Sequence, residues 1–228
     1  MKQANRILVV INRSSDARYV LDKAATLAEA EHASVMVIRV VYEGLVELER
    51  LPADEGQSLK VYIMQSEEEF LRGIVEGFED RFNDLETATI WHRNVSDGAL
   101  HAAKQFEADL VIKAVDSDGV VGRHPDDWSL LRNATSPVML LKESQWPKTP
   151  VVLAAADLLD DVHDSMSSTV IETGEHIAAK MGGKLAVVSA YPDIPEWPGS
   201  KVDRASLEGD WEHLVKAKLD ALGGGSSQ

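Results

Sequence analysis

Short apolar segments alternate with helical patterns through the first 142 residues, and this alternation constrains the fold more than any other feature. Continuously apolar runs are typical of parallel strands, which are buried on both faces. We predict five strands with four helices between them, and therefore an α/β fold of the doubly wound type with a five-stranded parallel sheet. The strands are predicted at Ile7–Asn12, Ser34–Val41, Thr87–His92, Asp109–Ala114 and Ser136–Lys142.

The helices between these strands are predicted from apolar positions that recur every three or four residues. Ser15 or Asp16 is expected to cap the first helix, and Ser96 or Asp97 the third, because these residue types accept hydrogen bonds from free N–H groups. The second helix is predicted from Ser58 onwards, with an acidic solvated face, and the fourth begins at Pro125. Two apolar sets are assigned to helix faces: Phe70, Phe78 and Phe82 on the second helix, and Trp128, Leu130 and Leu131 on the fourth.

The sequence begins the same pattern again after a polar linker that contains two prolines. "VVLAAAD" at residues 151–157 repeats the first strand, and residues 177–191 repeat residues 27–41 with the same spacing of helix and strand. This is a tandem repeat of one domain. We predict a first domain at residues 1–143, a linker at 144–150, and the first half of a second domain at 151–228, arranged strand-helix-strand-helix.

The second copy is incomplete in the sequence as given, because nothing after "LEGDWEHLVKAKLDAL" supplies its third, fourth and fifth strands. A half sheet would expose apolar edges. We therefore expect a truncated or internally incomplete sequence, with the alternative that two chains complete each other's sheets by exchange. The closing "GGGSSQ" is either a native flexible tail or an expression remnant.

Charge and composition exclude several classes of function. The chain has 23 Lys+Arg against 38 Asp+Glu, a formal charge of −15, and 13 of the acids lie between Glu43 and Glu86. This field disfavours nucleic acid as a partner. The absence of cysteine excludes disulfides, thiol catalysis and a cysteine-ligated zinc site. The first apolar run is too short for a signal segment or a membrane span, so we expect a cytoplasmic protein with no membrane partner.

Four segments together resemble the universal stress protein family, in particular its tandem-domain type. They are "RILVV…VIRVV", "GALHAAKQFEADLVIKA", "DDWSLLRNATSPVMLLK" and "PVVLAAAD", at residues 6–41, 98–114, 126–142 and 150–157. The resemblance covers the whole first domain and the first half of the second. It implies a five-stranded parallel α/β sheet, in agreement with the strand pattern.

Many members of that family bind ATP through an acidic residue after the first strand and a Gly-x2-Gly-x9-Gly-Ser/Thr loop after the fourth. Here the acidic position falls on Asn12 in the first domain and on Asp157 in the second. None of the loop positions matches, and the second spacing is six residues instead of nine. The loop positions fall on Ala114, Ser117 and His124-Pro125.

The loop chemistry also opposes a bound triphosphate. Glycines let backbone N–H groups approach a phosphate, whereas this loop is poor in glycine and Pro125 removes a donor. Asp116 and other aspartates would place carboxylates beside the ligand, and like charges repel. We interpret the first domain as one that no longer binds nucleotide. The candidate ligand-binding residues are Asn12, His92, Ala114, Asp116 and Asp157.

Other candidate sites have simpler structural explanations. His92 follows a strand at the sheet edge where ligands of open α/β sheets bind, and is a candidate to line a pocket with Asn12. His101 and His124 fit an exposed helix position and a loop position. The acidic residues 157–165 with His163 fit a hard-metal site, or a solvated loop that caps the next helix. No catalytic motif is present, and we predict no catalytic residue, no metal and no cofactor.

Two functions are compatible with these features. The first is a non-catalytic stress-response protein that binds a small or apolar ligand or a protein partner, as a homodimer or an intramolecular pseudo-dimer. Dimerisation is expected through the last strand, Val138–Leu141. The alternative is a nucleotide switch or weak ATPase that binds ATP through its second domain.

Overall fold

A computed structural model describes residues 3–47, 53–115, 125–158, 164–190 and 204–221 of the chain. Contacts between residues divide the chain into two units, one of residues 3–145 and one that begins at Trp146. None of the helices within the described ranges is long and apolar enough to cross a membrane.

The first unit contains a five-stranded sheet in which every strand pairs parallel to its neighbours. The spatial order is β3-β2-β1-β4-β5, so the chain winds outwards from β1 in both directions. This arrangement confirms the predicted five-stranded, doubly wound α/β fold. The strands are β1 (Arg6–Val10), β2 (Ser34–Val41), β3 (Leu85–Trp91), β4 (Leu110–Ala114) and β5 (Val138–Leu141).

Helices cover both faces of this sheet. The first set consists of α1, which contacts β1 and β4, and α2, which contacts β2, β3 and α1. The second set consists of α3 and α4, which contact each other, and α3 also contacts β1, β2 and β3. Beneath α3, the buried residues Leu8, Val10 and Ile38 pack against Ala99 and its neighbours. Burial of this kind on both faces explains why the central strands have no polar alternation. The helices are α1 (Ser14–Glu31), α2 (Ala53–Val75), α3 (Val95–Phe106) and α4 (Pro125–Asn133).

The predicted helix caps are wrong. The N-cap positions are Arg13 for α1 and Asn94 for α3, and neither side chain makes a capping hydrogen bond. Asp16 lies inside the first turn of α1, where a negative charge interacts favourably with the helix dipole. Ser96 lies inside α3 and donates its hydroxyl to Asn94 Oδ1 at 2.9 Å.

The predicted apolar face of α2 is also wrong in part. The helix begins at Ala53, before Ser58, and ends at Val75, so Phe78 and Phe82 lie beyond it, around a short 3-10 turn. Only Phe70 of the three phenylalanines is on α2, and its side chain is exposed. The three rings therefore do not share a helix that could present them to one ligand.

The three apolar residues of α4 do not form one buried face. Leu130 is buried in the core beneath α3, whereas Trp128 is 47% exposed and Leu131 is 41% exposed. Trp128 and Leu131 are three residues apart and therefore lie on the same side of the helix, whereas Leu130 is two residues from Trp128 and lies on another side. The exposed indole ring of Trp128 stacks with the guanidinium of Arg132 at 5.0 Å.

The second unit contains two parallel strands and two helices in the described ranges. Helix α5 packs closely on one face of the strand pair, since a Cβ at Gly174 would lie 2.7 Å from Leu185 Cδ1. The small core of the second unit contains Leu158 and Ile171, and Val215 of α6 packs against them. The elements are β6 (Val151–Ala155), α5 (Asp164–Lys180), β7 (Lys184–Val188) and α6 (Arg204–Ala221).

Candidate functional site at the carboxyl edge of the first sheet

Ligands of open α/β sheets bind outside the carboxyl ends of the strands, where the winding reverses. In the first unit this point lies between β1 and β4, which are adjacent and parallel. The described residues that follow these strands begin with Ile11 after β1 and Val115 after β4. The side chains at this edge therefore decide what the first unit could bind there.

Asn12 follows β1 at this edge and is partly buried. Its side-chain Oδ1 is buried and has no hydrogen-bond partner among the described residues. Its backbone carbonyl accepts a hydrogen bond from Arg39 Nη1 at 2.8 Å. A buried acceptor without a donor costs about 1–3 kcal/mol, so Asn12 retains unused hydrogen-bonding capacity.

Arg39 of β2 joins three elements at this edge. Besides the carbonyl of Asn12, its guanidinium pairs with the carboxylate of Glu67 on α2 and stacks over the ring of Phe70 at 4.8 Å. The arginine is thus fully engaged in holding α2 against the end of β1. Sequence reasoning missed it, although a single arginine within the apolar strand "SVMVIRVV" was a signal that a buried partner had to exist.

Arg13 crosses the switch point itself. Its Nε lies 2.6 Å from Asp16 Oδ2, and its Nη2 donates to the carbonyl of Val115, just after β4, at 3.2 Å. The Asp16 side chain is 12% exposed. The crevice between β1 and β4 is therefore bridged by a cation that already has an anion beside it.

Lys113 and Asp127 form a buried ion pair beneath the same edge. The distance from Lys113 Nζ to Asp127 Oδ1 is 3.0 Å, and the two side chains are 3% and 0% exposed. The ammonium also donates to the carbonyl of Ala114 at 3.0 Å. Lys113 lies near the end of β4 and Asp127 in the first turn of α4, so the pair ties together the two ends of the loop between them.

Ala114 and His92 lie at this edge in positions already used for packing. Ala114 is buried as the last residue of β4, and its carbonyl accepts the Lys113 ammonium. The His92 Nδ1 is 2.7 Å from the carbonyl oxygen of Asn94 and 3.1 Å from its backbone nitrogen, in the turn before α3. Because β2 lies between β3 and β1, about 10 Å of sheet separates His92 from Asn12. The structure does not bring these two residues together.

The two remaining candidate residues are Asp157 and Asp116. Asp157 belongs to the second unit, where it follows β6 and is exposed; its carbonyl accepts the Ser167 hydroxyl at 2.7 Å. Asp116 lies outside the described residues, as do Ser117, His124 and His163. Within the described ranges, no group of three His, Asp or Glu side chains has the geometry of a metal site.

Three cations among the described residues at this edge each have a carboxylate beside them. Arg13 pairs with Asp16, Arg39 with Glu67, and Lys113 with Asp127. An incoming anion would have to compete with a carboxylate that is already in place for each of these cations. The arrangement is suited to holding the strand ends and helices in position, and Asn12 Oδ1 is the one described group here with an unmet hydrogen bond.

Comparison with known proteins agrees with this architecture. Residues 4–142 match the model of the universal stress protein family. The universal stress protein E homolog of Haemophilus influenzae is 24% identical over 231 residues, which cover 93% of this chain and 74% of that protein. The universal stress protein E of Photorhabdus laumondii is 22% identical over 234 residues, which cover 96% of this chain and 74% of that protein.

A solved structure extends the likeness to three dimensions. The crystal structure of a putative universal stress protein from Pseudomonas aeruginosa UCBPP-PA14 aligns with a TM-score of 0.69 at 21% identity, over 96% of this chain and 70% of that chain. At that identity the likeness establishes the fold. Together with the family model, which matches more than half of the sequence, it leads to one conclusion: the chain belongs to the universal stress protein family and resembles universal stress protein E over most of its length.

Proposed function

We propose that this chain is a non-catalytic stress-response protein of the tandem universal stress type, which binds a small or apolar ligand or a protein partner. Its first unit would not bind nucleotide. The observation that carries the proposal is the buried ion pair between Lys113 and Asp127, which flank the segment that the resemblance aligns with the phosphate-binding loop.

A phosphate at this place would have to separate the buried pair or leave it intact and find other donors. Separating a buried ion pair costs about 3–5 kcal/mol, which corresponds to a loss of about 10²- to 10⁴-fold in affinity. If the pair stays intact, the Lys113 ammonium remains committed to Asp127 and to the Ala114 carbonyl. In neither route does the Lys113 ammonium bind phosphate without a loss of its buried contacts.

The residues on the β1 side of the crevice support the same reading. Asn12 is neutral at the position where the resemblance places an acidic nucleotide-binding residue. Arg13 spans the crevice to the Val115 carbonyl while paired with Asp16. A nucleotide would therefore meet an occupied crevice without the acidic partner that its family site supplies.

Isothermal titration with Mg-ATP tests this proposal, on the full chain and on an Asp157→Asn variant. We expect no saturable heat at ATP concentrations up to about 1 mM, which corresponds to a binding free energy weaker than about −4 kcal/mol. Micromolar binding by the full chain would contradict the proposal. If Asp157→Asn then abolished that binding, the alternative of a nucleotide switch acting through the second domain would replace it.

We also propose that the chain forms a homodimer through β5. This strand is last in the sheet order, so one of its edges is unpaired within the described part of the first unit. The carbonyls of Pro137 and Leu141 accept hydrogen bonds from Val111 of β4 and from Val115 just after it. The backbone groups of Val138 and Leu140 therefore face the free edge. Native mass spectrometry should give twice the chain mass, whereas a monomer would favour the intramolecular pseudo-dimer. A cytoplasmic location stays a prediction from the sequence.

A further inference from the structure

A cleft of about 250 Å³ lies at the amino edge of the first sheet, away from the crevice described above. It opens between the second half of α3 and the connection from α4 to β5, with Val111 of β4 at its base. No residue of the carboxyl-edge site takes part in it. The lining residues are Leu100, His101, Ala103, Lys104, Val111 and Asn133–Ser136.

The cleft combines an apolar floor with a polar rim. Ala103 and Val111 are buried, and Leu100 and Ala134 add further apolar surface. The rim consists of side chains that can donate hydrogen bonds, among them Lys104 and Thr135. Small-molecule sites have this composition, an apolar pocket with a few convergent polar groups. Drug-sized ligands occupy about 300–1,000 Å³, so this cleft fits a smaller molecule.

Some of the polar side chains at the rim already make hydrogen bonds within the protein, and others do not. Asn133 donates its amide to the Ser129 carbonyl at 2.9 Å, and the Ser136 hydroxyl donates to the Ala108 carbonyl. By contrast, neither the Lys104 ammonium nor the Thr135 hydroxyl makes a hydrogen bond or ion pair within the described part of the chain. One cation and one hydroxyl at this rim are therefore available to a ligand.

The charge of the rim selects the ligand class. Lys104 on α3 places a positive charge at the cleft, although the chain as a whole carries −15. We propose that the cleft binds a small organic carboxylate, with its apolar group on Ala103 and Val111 and its carboxylate at Lys104 and Thr135. This assignment deepens the proposed function and rests on it, since it gives the ligand-binding role a place and a chemistry.

Benzoate is a suitable probe, with benzamide as its uncharged counterpart of the same shape. We expect an amide NMR titration of the full chain to give saturable benzoate binding, with a dissociation constant on the order of millimolar. The largest shifts should fall at Lys104, Thr135 and Ser136. Benzamide should bind more weakly, and added salt should weaken benzoate binding because the Lys104 contact is exposed to solvent.

A charge-reversal pair tests the role of Lys104. Lys104→Glu should weaken benzoate binding about tenfold, because an attraction at the rim becomes a repulsion. Lys148→Glu, at an exposed lysine outside the cleft, changes the net charge equally and should leave binding unchanged. The proposal is overturned by an absence of saturable binding, by shifts that cluster elsewhere, or by equal effects of the two variants. Mg-ATP titration is a separate readout, so failure here is distinguishable from failure of the proposed function.

Discussion

Asp127→Asn is the substitution whose effect follows most directly from the structure. It removes the negative charge from a fully buried side chain that pairs with the Lys113 ammonium, which is itself 3% exposed. At 3.0 Å and an effective dielectric constant of about 20, the lost attraction is about 5.5 kcal/mol. Measured costs of removing one partner of a buried pair are about 3–5 kcal/mol, so we expect a loss of stability in that range.

The double variant Lys113→Met/Asp127→Leu separates charge from packing. Replacing a whole buried pair by apolar side chains is often neutral or stabilising, so this variant should recover most of the stability lost in Asp127→Asn. Asp126→Asn is the matched control, since its side chain is only partly buried in the same turn of α4. It should cost less than about 1 kcal/mol.

Hydrogen exchange of β4 and α4 peptides in the full chain measures these effects, because the two units need not unfold together. Asp127→Asn should lower the protection of both peptides far more than Asp126→Asn does. If the two asparagine variants lowered protection equally, the ion pair would not be buried as described, and its proposed role in excluding phosphate would lose its basis.

Two further substitutions test local packing and buried charge. Gly98→Ala places a Cβ 2.8 Å from Val40 Cγ1, and should lower the free energy of unfolding in urea by about 1–3 kcal/mol. Gly73→Ala in α2, where a Cβ meets no described atom within 4 Å, should raise it by about 0.5–1 kcal/mol. Similar effects of the two variants would refute the close approach at Gly98. Burial lowers the pKa of Lys23 below its usual 10.5, while its ammonium donates to the Lys142 carbonyl at 2.7 Å. Between this lowered pKa and 10.5, the unfolded state binds more protons than the folded state. The stability of the protein relative to that of Lys23→Met should therefore rise with pH in this range. A stability difference that stays constant with pH would contradict this prediction.

The strand pattern was the part of the fold that the sequence predicted best. β2 spans Ser34–Val41 as predicted, because a parallel strand buried on both faces has a nearly continuous apolar sequence, here interrupted by Arg39. Helix boundaries were less predictable. The first residues of α2, "ADEGQ", carry no apolar periodicity. Gly77 follows the end of the helix, and the phenylalanines beyond it flank a short 3-10 turn instead of continuing the α-helix.

The candidate site was predictable in its location and not in its chemistry. The carboxyl edge of the sheet follows from the strand order, and Asn12 and Ala114 do lie there. The pairing of Lys113 with Asp127, 14 residues away, depends on how α4 packs onto β4. The sequence shows that Arg39 and Lys113 are isolated cations in apolar strands. Such cations need buried partners, but the sequence does not identify which residues the partners are.

An amide NMR titration with Mg-ATP, read at the carboxyl edge of the first sheet, tests the central claim most directly. The informative signals are those of Asn12, Arg13 and Val115, which line the crevice between β1 and β4, and of Asp127 at the start of α4. We expect these signals not to shift at ATP concentrations up to about 1 mM. Saturable shifts at these residues, with a micromolar dissociation constant, would contradict it.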